Sequence, residues 1–434
     1  MTAITLPASL TSIGDHAFLS CTGLTTFNFD ANLNTIGTYA FGWCNRLASV
    51  SLLATAITRI EDFAFYNCTG LKSVIIPSNL NSIGDDAFSG CTGLTAITLP
   101  ASLNSIGDDA FYNCTSLTAM NLPASVTSIA DFAFESCSKL TTFTVDPSNP
   151  NYSSTNGVLF DKTQTTLLQF PMGKTGSYTL PSSVTRIGNA AFESCTGLTS
   201  LTLPTNLNNI GNYAFFKCTG LTSLTILSGL TSLQEGCFQS CTKLTSVTLP
   251  ASVNTLGDGI FYGCSLLKTA IFKGNAPTLG ILVFDLTAAG FKVNFYNETT
   301  GFTVPTWNGY ASLNLGDSSP IFTWLHANGL AYSADLSSTP NHDGVPILMD
   351  YALNLTPTLT QSGNLPKPVI SGNQMSLTYY AGKTDVQYRV EISSDLQSWT
   401  TSGITLSAPD INGLRTAAAT LSTPRLFMHL KVTR

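Results

Sequence analysis

Charge is scarce in this sequence, and its distribution excludes several kinds of partner. Asp, Glu, Lys and Arg make up only 10% of the 434 residues, and the formal net charge is −6. No stripe or block of Lys and Arg occurs, whereas binding to nucleic acid requires concentrated positive charge. No run of 18 apolar residues occurs either. We therefore expect no nucleic-acid partner and no membrane span in this chain.

Catalytic motifs are also missing, which argues against an enzyme. The four histidines form no HExxH pair, and the sequence contains no P-loop, no G-x-G-x-x-G and no G-x-S-x-G. Neighbouring acids such as Asp85 and Asp86 recur periodically at predicted turns, which indicates solvated acids rather than an acid–base pair in one pocket. We therefore expect no catalytic residues and no cofactor.

Most of the sequence is instead a repeat with a period of 23 residues. Aligned on one phenylalanine, successive copies lie 23 or 24 residues apart, except for one step of 58 residues between Phe134 and Phe192, and a degenerate eleventh copy lies at Phe284. A fixed period of this length predicts a solenoid of stacked coils. In the first ten copies a cysteine stands three residues after the phenylalanine: Cys21, Cys44, Cys68, Cys91, Cys114, Cys137, Cys195, Cys218, Cys241 and Cys264.

Each copy predicts one strand and one short helical turn. Val247, Thr248 and Leu249 alternate between apolar and polar types, as in a strand, and a proline ends the strand. A glycine followed by Asp or Asn then predicts a tight turn and a capped helical turn that carries the phenylalanine. The expected fold class is an α/β repeat solenoid, with a parallel sheet and short helical turns.

A single copy is too small to fold alone. About six apolar side chains, each contributing at most ~1.5–3 kcal/mol on burial, oppose a backbone entropy cost of roughly 1–2 kcal/mol per residue. Stacking buries both faces of every copy, so the copies are expected to fold only as an array.

The cysteine column allows three interpretations. Zinc needs ligand pairs, but the spacing within a copy supplies a second ligand only where Cys237 precedes Cys241. Disulfides between adjacent coils are within Cα range but need particular side-chain geometry, and 11 cysteines is an odd number. The favoured interpretation is that each cysteine is a small buried hydrophobe that fills a narrow corner of its coil, without a metal.

The outward-facing residues of the strands are one candidate binding surface. Thr202, Thr225 and Thr248 stand at equivalent positions between the inward-facing apolar residues. Threonine is also common in strands because it pairs well across a sheet, and a regular threonine array could order water. The interpretations as a binding face and as ordinary strand residues both stay open at this point.

The segment that breaks the period supplies a second candidate surface. It contains the aromatic residues Tyr152, Phe160 and Phe170. Aromatic side chains often anchor protein interfaces, and the strand face nearly lacks them. These three residues are therefore predicted to contact a protein ligand.

The repeat resembles the BspA-type leucine-rich repeat family. The pattern LPxSVTSIGxxAFxxCxxLTSVTLP carries the resemblance, which covers residues 1–315. Residues 146–180 resemble a hairpin insertion recurrent in that family, and residues 270–315 resemble the degenerate coil that ends the array. The resemblance implies a right-handed solenoid and, as the usual setting, an exported bacterial protein that is extracellular or at the cell surface. Some members bind proteins of a host or of neighbouring cells.

Residues 316–434 form a predicted C-terminal module outside the period. We expect a helix at residues 347–353 and a small antiparallel β-rich part at residues 374–434, where QMSLTYYAG and RLFMHLKVTR alternate with period two. The segment DLSSTPNHDGVPILMDYALNLTP resembles one that ends many large secreted bacterial proteins.

The same segment contains a partial calcium-loop pattern. Asn341 takes the third ligand position, Asp343 precedes the required Gly344, and Asp350 stands where a bidentate acid belongs. The first and ninth positions carry no acid, so the charge is low for a Ca²⁺ site. The favoured interpretation is a loop that caps the following helix without a metal.

The favoured function is non-enzymatic protein–protein interaction at the cell surface or outside the cell, such as adhesion, with a protein ligand of unknown identity. The alternatives are a structural spacer that displays or exports another module, and an accessory domain of a secreted enzyme. Clustered aromatic or charged side chains on one face favour binding, whereas a featureless face favours the spacer. Met1 is followed at once by a repeat copy, with no signal peptide. We therefore expect that the natural start lies upstream or that the chain is a fragment.

Overall fold

The computed structural model describes most of the chain, in two compact units. The first unit comprises Met1–Phe295 and Thr299–Leu313, and the second comprises Tyr296–Glu298 and Asn314–Arg434. Each unit has hydrophobic cores of its own. The residues described are 4, 7, 9–29, 32–53, 55–328, 330–331, 334–339, 345–357, 364–421 and 426–434.

The first unit is a solenoid of short strands and turns, with no helix among its described residues. The strands are short because each coil must complete a circuit within 23 residues. In chain order they are β1 (Ser12–Ile13), β2 (Thr35–Ile36), β3 (Ser49–Ser51), β4 (Arg59–Ile60), β5 (Ser73–Ile75), β6 (Ser82–Ile83), β7 (Ala96–Ile97), β8 (Ser105–Ile106), β9 (Ala119–Leu122), β10 (Ser128–Ile129), β11 (Thr142–Val145), β12 (Tyr152–Thr155), β13 (Val158–Asp161), β14 (Thr166–Gln169), β15 (Gly176–Thr179), β16 (Arg186–Ile187), β17 (Leu198–Thr202), β18 (Asn209–Ile210), β19 (Ser232–Leu233), β20 (Ser246–Leu249), β21 (Thr255–Leu256), β22 (Thr269–Phe272), β23 (Thr278–Leu279), β24 (Lys292–Phe295), β25 (Thr306–Trp307) and β26 (Tyr310–Asn314).

The strands form two columns, in which successive coils pair in parallel. The first column contains β1-β2, β4-β6-β8-β10, β14-β16-β18 and β19-β21-β23, and the second contains β3-β5-β7, β9-β11, β15-β17 and β20-β22-β24. Equivalent residues pair directly, as Ser82 does with Ser105. The predicted solenoid with a parallel sheet is confirmed. It has two strands per coil rather than one, because the dipeptide before the glycine also pairs.

A ladder of stacked phenylalanines runs through the core. Phe65, Phe88 and Phe111 are fully buried. Neighbouring rings stack with centroids 5.5 Å apart and interplanar angles of 3° and 11°. Phenylalanine buries a large apolar area, and rings prefer offset stacking over a direct sandwich. The same contact is therefore repeated from coil to coil, which explains why the period is kept.

The segment predicted as a helical turn is a run of hydrogen-bonded turns, here called the outer turn (residues 85–90 in one coil). Asp86 and Gly90 have left-handed φ values of 53° and 71°. The amides of Asp86, Phe88 and Gly90 donate hydrogen bonds of 2.8–2.9 Å to carbonyls of the next coil. In an α-helix these amides would donate to carbonyls four residues earlier in the same helix. Here they donate to carbonyls of the neighbouring coil instead.

The Gly-Asp pair that begins several of the outer turns also joins coils. The Asp62 carboxylate accepts a hydrogen bond of 2.9 Å from the amide of Asp85, and Asp85 accepts one from Asp108. A Cβ atom on Gly84 would lie 2.3 Å from Asp62 Oδ1, so only glycine leaves room for this contact. The predicted cap therefore exists, but it serves the turn of the following coil.

The step of 58 residues contains a hairpin followed by one shortened coil. β13 pairs antiparallel with both β12 and β14, and β14 lies parallel to β16 in the first column. β15 takes a place in the second column, and the Phe170 ring stacks on Phe192 with centroids 4.9 Å apart. In the complete coil, Phe192 follows the strand residue Ile187 by five positions. In the shortened coil, Phe170 follows Leu167, which pairs with Ile187, by only three positions. The shortened coil therefore lacks an outer turn.

The hairpin also divides the hydrophobic core of the solenoid. Val158 and Phe160 of β13 belong to the later core cluster, whereas Leu159 between them belongs to the earlier cluster. This alternation follows from the period of two in a strand. Phe134 ends the first phenylalanine ladder, and Phe170 begins the second.

Aromatic side chains close the core at the end of the array. The Phe284 ring meets Tyr310 edge-on with centroids 5.3 Å apart, and the buried Trp307 packs against Phe272 and Phe302. β25 and β26 pair antiparallel, which ends the parallel arrangement. Such terminal coils protect a core that would otherwise face solvent.

The second unit contains two short helices and antiparallel strands. Leu377, Tyr379 and Ala417 are buried in one of its cores. Its strands form a sheet in the order β27-β28-β31-β30 and a separate pair β29-β32. Of the helices in the described parts of the chain, none has the length and hydrophobicity needed to cross a membrane. The elements are α1 (Pro320–Ala327), α2 (Ile347–Ala352), β27 (Val369–Ser371), β28 (Gln374–Tyr380), β29 (Gln387–Ser393), β30 (Ile404–Leu406), β31 (Leu414–Thr420) and β32 (Phe427–Thr433).

Candidate functional site

The predicted threonine row lies on the exposed side of the second column. Thr202 and Thr248 are exposed in β17 and β20, and Thr225 is exposed at the same repeat position, outside the assigned strands. The preceding residues Leu201 and Val247 are buried, as the strand period requires. The row offers only small hydroxyl groups at these positions, and its role in binding stays a prediction.

Two of the three aromatic residues predicted in the insertion are inaccessible. Phe160 and Phe170 are 0% and 1% exposed. Phe160 faces the later core cluster from β13, and Phe170 continues the phenylalanine ladder, so their assignment as ligand contacts is wrong. Tyr152 is half-buried, and its hydroxyl accepts a hydrogen bond of 3.0 Å from the amide of Ile129 at the edge of β10. Its burial raises the pKa of the phenol.

The cysteine column links each coil to the preceding one. The Cys68 thiol donates a hydrogen bond of 3.0 Å to the Phe41 carbonyl, and the Cys114 thiol donates one of 3.2 Å to the Phe88 carbonyl. Burial raises the pKa of the Cys91 thiol to about 12, so it stays protonated and can donate. All 11 cysteines are free thiols. Cysteine is thus both a small core residue and a repeated hydrogen-bond donor.

The predicted calcium ligands are placed only in part. Asn341 and Asp343 lie outside the described residues. Asp350 lies in α2 and is 2% exposed. Within the described residues, no group of three or more His, Cys, Asp or Glu side chains could hold a metal ion. The calcium loop stays a prediction.

An aromatic cluster covers the outer turns of the first coils and consists of His16, Tyr39, Trp43, Phe63 and Tyr66. The Tyr39 ring stacks between His16 and Phe63, with centroid distances of 5.4 and 4.4 Å. Trp43 packs edge-on against Tyr66 at 4.8 Å. His16 is exposed, Trp43 is 36% exposed, and the other three are half-buried. Accessible aromatic side chains of this kind are typical anchors of protein interfaces.

The backbone of these turns does not favour aromatic residues. Tyr39, Trp43 and Phe63 have φ values of 55°, 57° and 58°, in the left-handed region that bulky residues rarely adopt. Gly236 and Gly259 hold the position of Tyr39 in later coils. A strained residue of this kind costs on the order of 1–3 kcal/mol. Most other coils carry Gly, Ala, Ser, Asp or Asn at these two positions, although Phe132 and Tyr213 are also left-handed. The repeat pattern used in the sequence analysis records only residues shared between copies, so it does not include the aromatic residues of the cluster. A comparison of where individual copies differ from the pattern would have found them.

An ion-pair network borders the aromatic cluster. Arg59 contacts the carboxylates of Glu61 and Asp62 at 2.8 and 2.7 Å. Asp62 precedes Phe63 in the chain, and its backbone carbonyl accepts a hydrogen bond from the amide of Tyr39. The surface therefore combines aromatic rings with charges of both signs, as the rim and core of a protein interface do.

Two glutamates meet across the shortened coil. Glu135 and Glu193 each follow the ladder phenylalanine of their own coil, and their carboxyl groups lie close enough to influence each other's pKa. Burial, and then the charge of Glu135, raises the pKa of Glu193 to about 8, and burial also raises the pKa of Glu135. Lys217 opposes both shifts. The charge of Glu135 disfavours ionisation of Glu193, so the pair holds one proton at pH values where an isolated glutamate is ionised.

The stacked coils, with their buried leucine and phenylalanine positions and two strand columns, define a leucine-rich repeat solenoid. The family model described as BspA type leucine rich repeat region, in six copies, matches residues 1–92, 58–174 and 169–287. The chain therefore belongs to the BspA-type leucine-rich repeat family, and the predicted resemblance is confirmed. Membership in this family points to a non-catalytic repeat protein.

Solved structures of bacterial proteins share the fold. A leucine-rich cell surface protein from Faecalibacterium prausnitzii is 29% identical, with a TM-score of 0.60 over 72% of this chain and 82% of that protein. The pneumococcal vaccine antigen PcpA is 21% identical, with a TM-score of 0.53 over 73% of this chain and 88% of the antigen. No curated protein matches the chain by sequence.

Proposed function

We propose that this protein is a non-catalytic cell-surface or extracellular protein that binds another protein through the aromatic cluster, as an adhesin does. The observation that carries the proposal is one continuous cluster of aromatic side chains on three neighbouring outer turns, in which His16 and Trp43 are exposed and Tyr39, Phe63 and Tyr66 are half-buried. Family membership and the similarity to a cell surface protein support this setting.

The aromatic cluster favours binding over a purely structural spacer. Stacking between coils is already provided by the phenylalanine ladder, the paired strands and the hydrogen bonds of the outer turns. The outer rings add strain to the turns without entering the core. A spacer has no use for them, whereas a protein interface gains most of its energy from a few such residues.

The double variant Trp43→Ser with Tyr66→Ser tests the proposal. Tyr112→Ser is the matched control, because Tyr112 holds the same repeat position as Tyr66, is 37% exposed and lies outside the cluster. Two interface anchors together contribute at least about 2 kcal/mol, so we expect binding to fall more than about tenfold in the double variant. The control should bind within about twofold of the wild type.

Flow cytometry with the fluorescently labelled chain on cultured epithelial cells and on bacterial cells measures the binding. Circular dichroism and thermal melting establish that each variant is folded. Equal binding by the double variant and the wild type contradicts the proposal, as does an equal loss in Tyr112→Ser.

A further inference from the structure

The missing outer turn of the shortened coil leaves a cleft in the side of the solenoid. The cleft has a volume of about 350 Å³ and lies between the outer turn that contains Phe134 and the one that contains Phe192. Its lining includes the half-buried Leu168 and Leu159, which is 2% exposed. The shortened coil stacks between the two flanking coils but has no outer turn, so the space of one turn is left open between the flanking outer turns. One extended chain fits in this gap.

One wall of the cleft presents backbone donors. In preceding coils, amides at alternate positions of the outer turn donate to the next coil, as those of Asp109 and Phe111 do to the carbonyls of Asp131 and Ala133. The equivalent amides one coil later belong to Phe132 and Phe134. Among the residues that the structure describes, neither amide has an acceptor.

The opposite wall presents a backbone acceptor. The Asn212 carbonyl accepts a hydrogen bond from the amide of Ala190 in the coil before it. The equivalent carbonyl one coil earlier is that of Asn189, which lines the cleft and accepts no hydrogen bond from the described part of the chain. Of the residues that present these groups, Phe134 is buried, and a buried backbone amide without a partner is unfavourable. Donors on one wall and an acceptor on the other match the two edges of a single extended polypeptide.

The charges at the rim also differ between the walls. Asp131 lies on the wall that presents donors, and Arg186 lies on the wall that presents the acceptor; both are exposed. A segment that carries side chains of both charges complements this rim, whereas a strongly charged small ion does not.

We propose that this cleft binds one extended segment of a partner polypeptide, which lays an apolar side chain on Leu159 and Leu168 and restores the hydrogen bonds of the missing outer turn. This inference rests on the proposed function, because it assumes that the ligand is a protein. It adds a specific site at which one segment of that protein would bind. The cleft and the aromatic cluster involve different coils, so each can be tested without the other.

A tryptophan placed in the cleft tests this site. Asp131→Trp fills the cleft from the rim, and Gln169→Trp fills it from the shortened coil. Asp108→Trp is the matched control, because Asp108 holds the same repeat position one coil earlier, where the next coil already has its outer turn. The probe is a phage-displayed library of random dodecapeptides, selected on the full chain and counter-selected on Asp131→Trp.

Fluorescence anisotropy then gives the affinity of the selected peptides for each variant. We expect both cleft-filling variants to bind more than tenfold more weakly than the wild type, and Asp108→Trp to bind within twofold. Hydrogen exchange measured by mass spectrometry should slow in residues 129–136 when the peptide is bound.

Several results would overturn the proposal. They are a library from which no peptide is enriched, peptides that bind Asp131→Trp as well as the wild type, and unchanged exchange in residues 129–136. Peptides that lose binding only to the Trp43→Ser, Tyr66→Ser variant would overturn the cleft and leave the proposed function standing. Loss of cell binding in that variant, with peptide binding to the cleft intact, would show that the two surfaces act separately.

Discussion

Single residues in this protein take their roles from the neighbouring coil. Asp62 holds the amide of Asp85, and the Cys68 thiol holds the carbonyl of Phe41 in the coil before it. Glu193 is different, because the coil that would have separated it from Glu135 is shortened. A side chain that would face solvent or an ordinary neighbour meets a second carboxyl group instead, and the two share a proton.

The glutamate pair predicts that stability falls as the pH rises. Glu193 titrates near 4.5 when unfolded and at about 8 when folded. Between these values the folded chain keeps a proton that the unfolded chain has released. The free energy of unfolding should therefore fall with rising pH, by up to about 1.4 kcal/mol per pH unit. Glu193→Gln is neutral throughout and should lower this slope.

Urea unfolding of both proteins at several pH values between about 5 and 8 measures the slope. An identical slope in the wild type and in Glu193→Gln would contradict the assignment of the shared proton to this pair.

The outer turn is the element that joins one coil to the next and also carries the candidate surfaces. The amides of the outer turn donate hydrogen bonds to the following coil. The length of an outer turn is therefore constrained wherever the following coil also has one. The residue at its first left-handed position differs between coils, from Tyr39 to Gly259. Where the turn is deleted, as after Leu167, a cleft results. Function can therefore be added to this element without altering the core.

Glycine at the start of the outer turn should matter only where a coil precedes it. Gly84→Ala would place a Cβ 2.3 Å from the Asp62 carboxylate, whereas a Cβ on Gly14 would meet nothing within 4 Å. Loss of the cap in Gly84→Ala should lower the free energy of unfolding by about 0.5–2 kcal/mol. Gly14→Ala should be neutral or stabilise the protein by about 0.4–1 kcal/mol, since alanine restricts the unfolded chain.

Chemical denaturation of the two alanine variants in parallel provides the comparison. Equal destabilisation by Gly84→Ala and Gly14→Ala would show that the close contact between coils is not the reason for the glycine.

At the scale of the whole solenoid, the insertion separates two hydrophobic cores. β13 contributes Leu159 to the earlier cluster and Phe160 to the later one, so a single strand forms the boundary. Repeat arrays are stabilised mainly by contacts between nearest neighbours, and a change in one part need not spread to the other. The two arrays should therefore respond separately to a local loss of packing.

Leu117→Ala and Leu244→Ala test this separation. Both leucines are fully buried at the same repeat position, one in each cluster, and truncation of such a residue typically costs about 2–5 kcal/mol. Leu117→Ala should accelerate hydrogen exchange in residues 33–145 but not in residues 184–295, and Leu244→Ala should do the reverse. Mass spectrometry resolves the two regions. Faster exchange over both regions in either variant would indicate one cooperative core.

The solenoid and its ladder of stacked residues could be predicted from the sequence, because residues that recur with a fixed period pack against their equivalents in the neighbouring coils. A residue type that returns every 23 positions, such as Phe88 and Phe111, must stack on itself if the coils are in register. The sequence could not predict that the outer turn is non-helical, because its hydrogen bonds go to another coil. It also could not predict which aromatic residues of the insertion are buried, since Phe160 and Phe170 look alike in sequence to exposed anchors.

The sequence by itself determined the period, the stacking of the coils and the core residues of the regular repeats, because each of these follows from local patterning repeated along the chain. The tertiary structure alone decided the aromatic cluster, the shared proton of Glu135 and Glu193, and the cleft. These features depend on distances between coils, and such distances are set by how the hairpin and the shortened coil fit between complete turns.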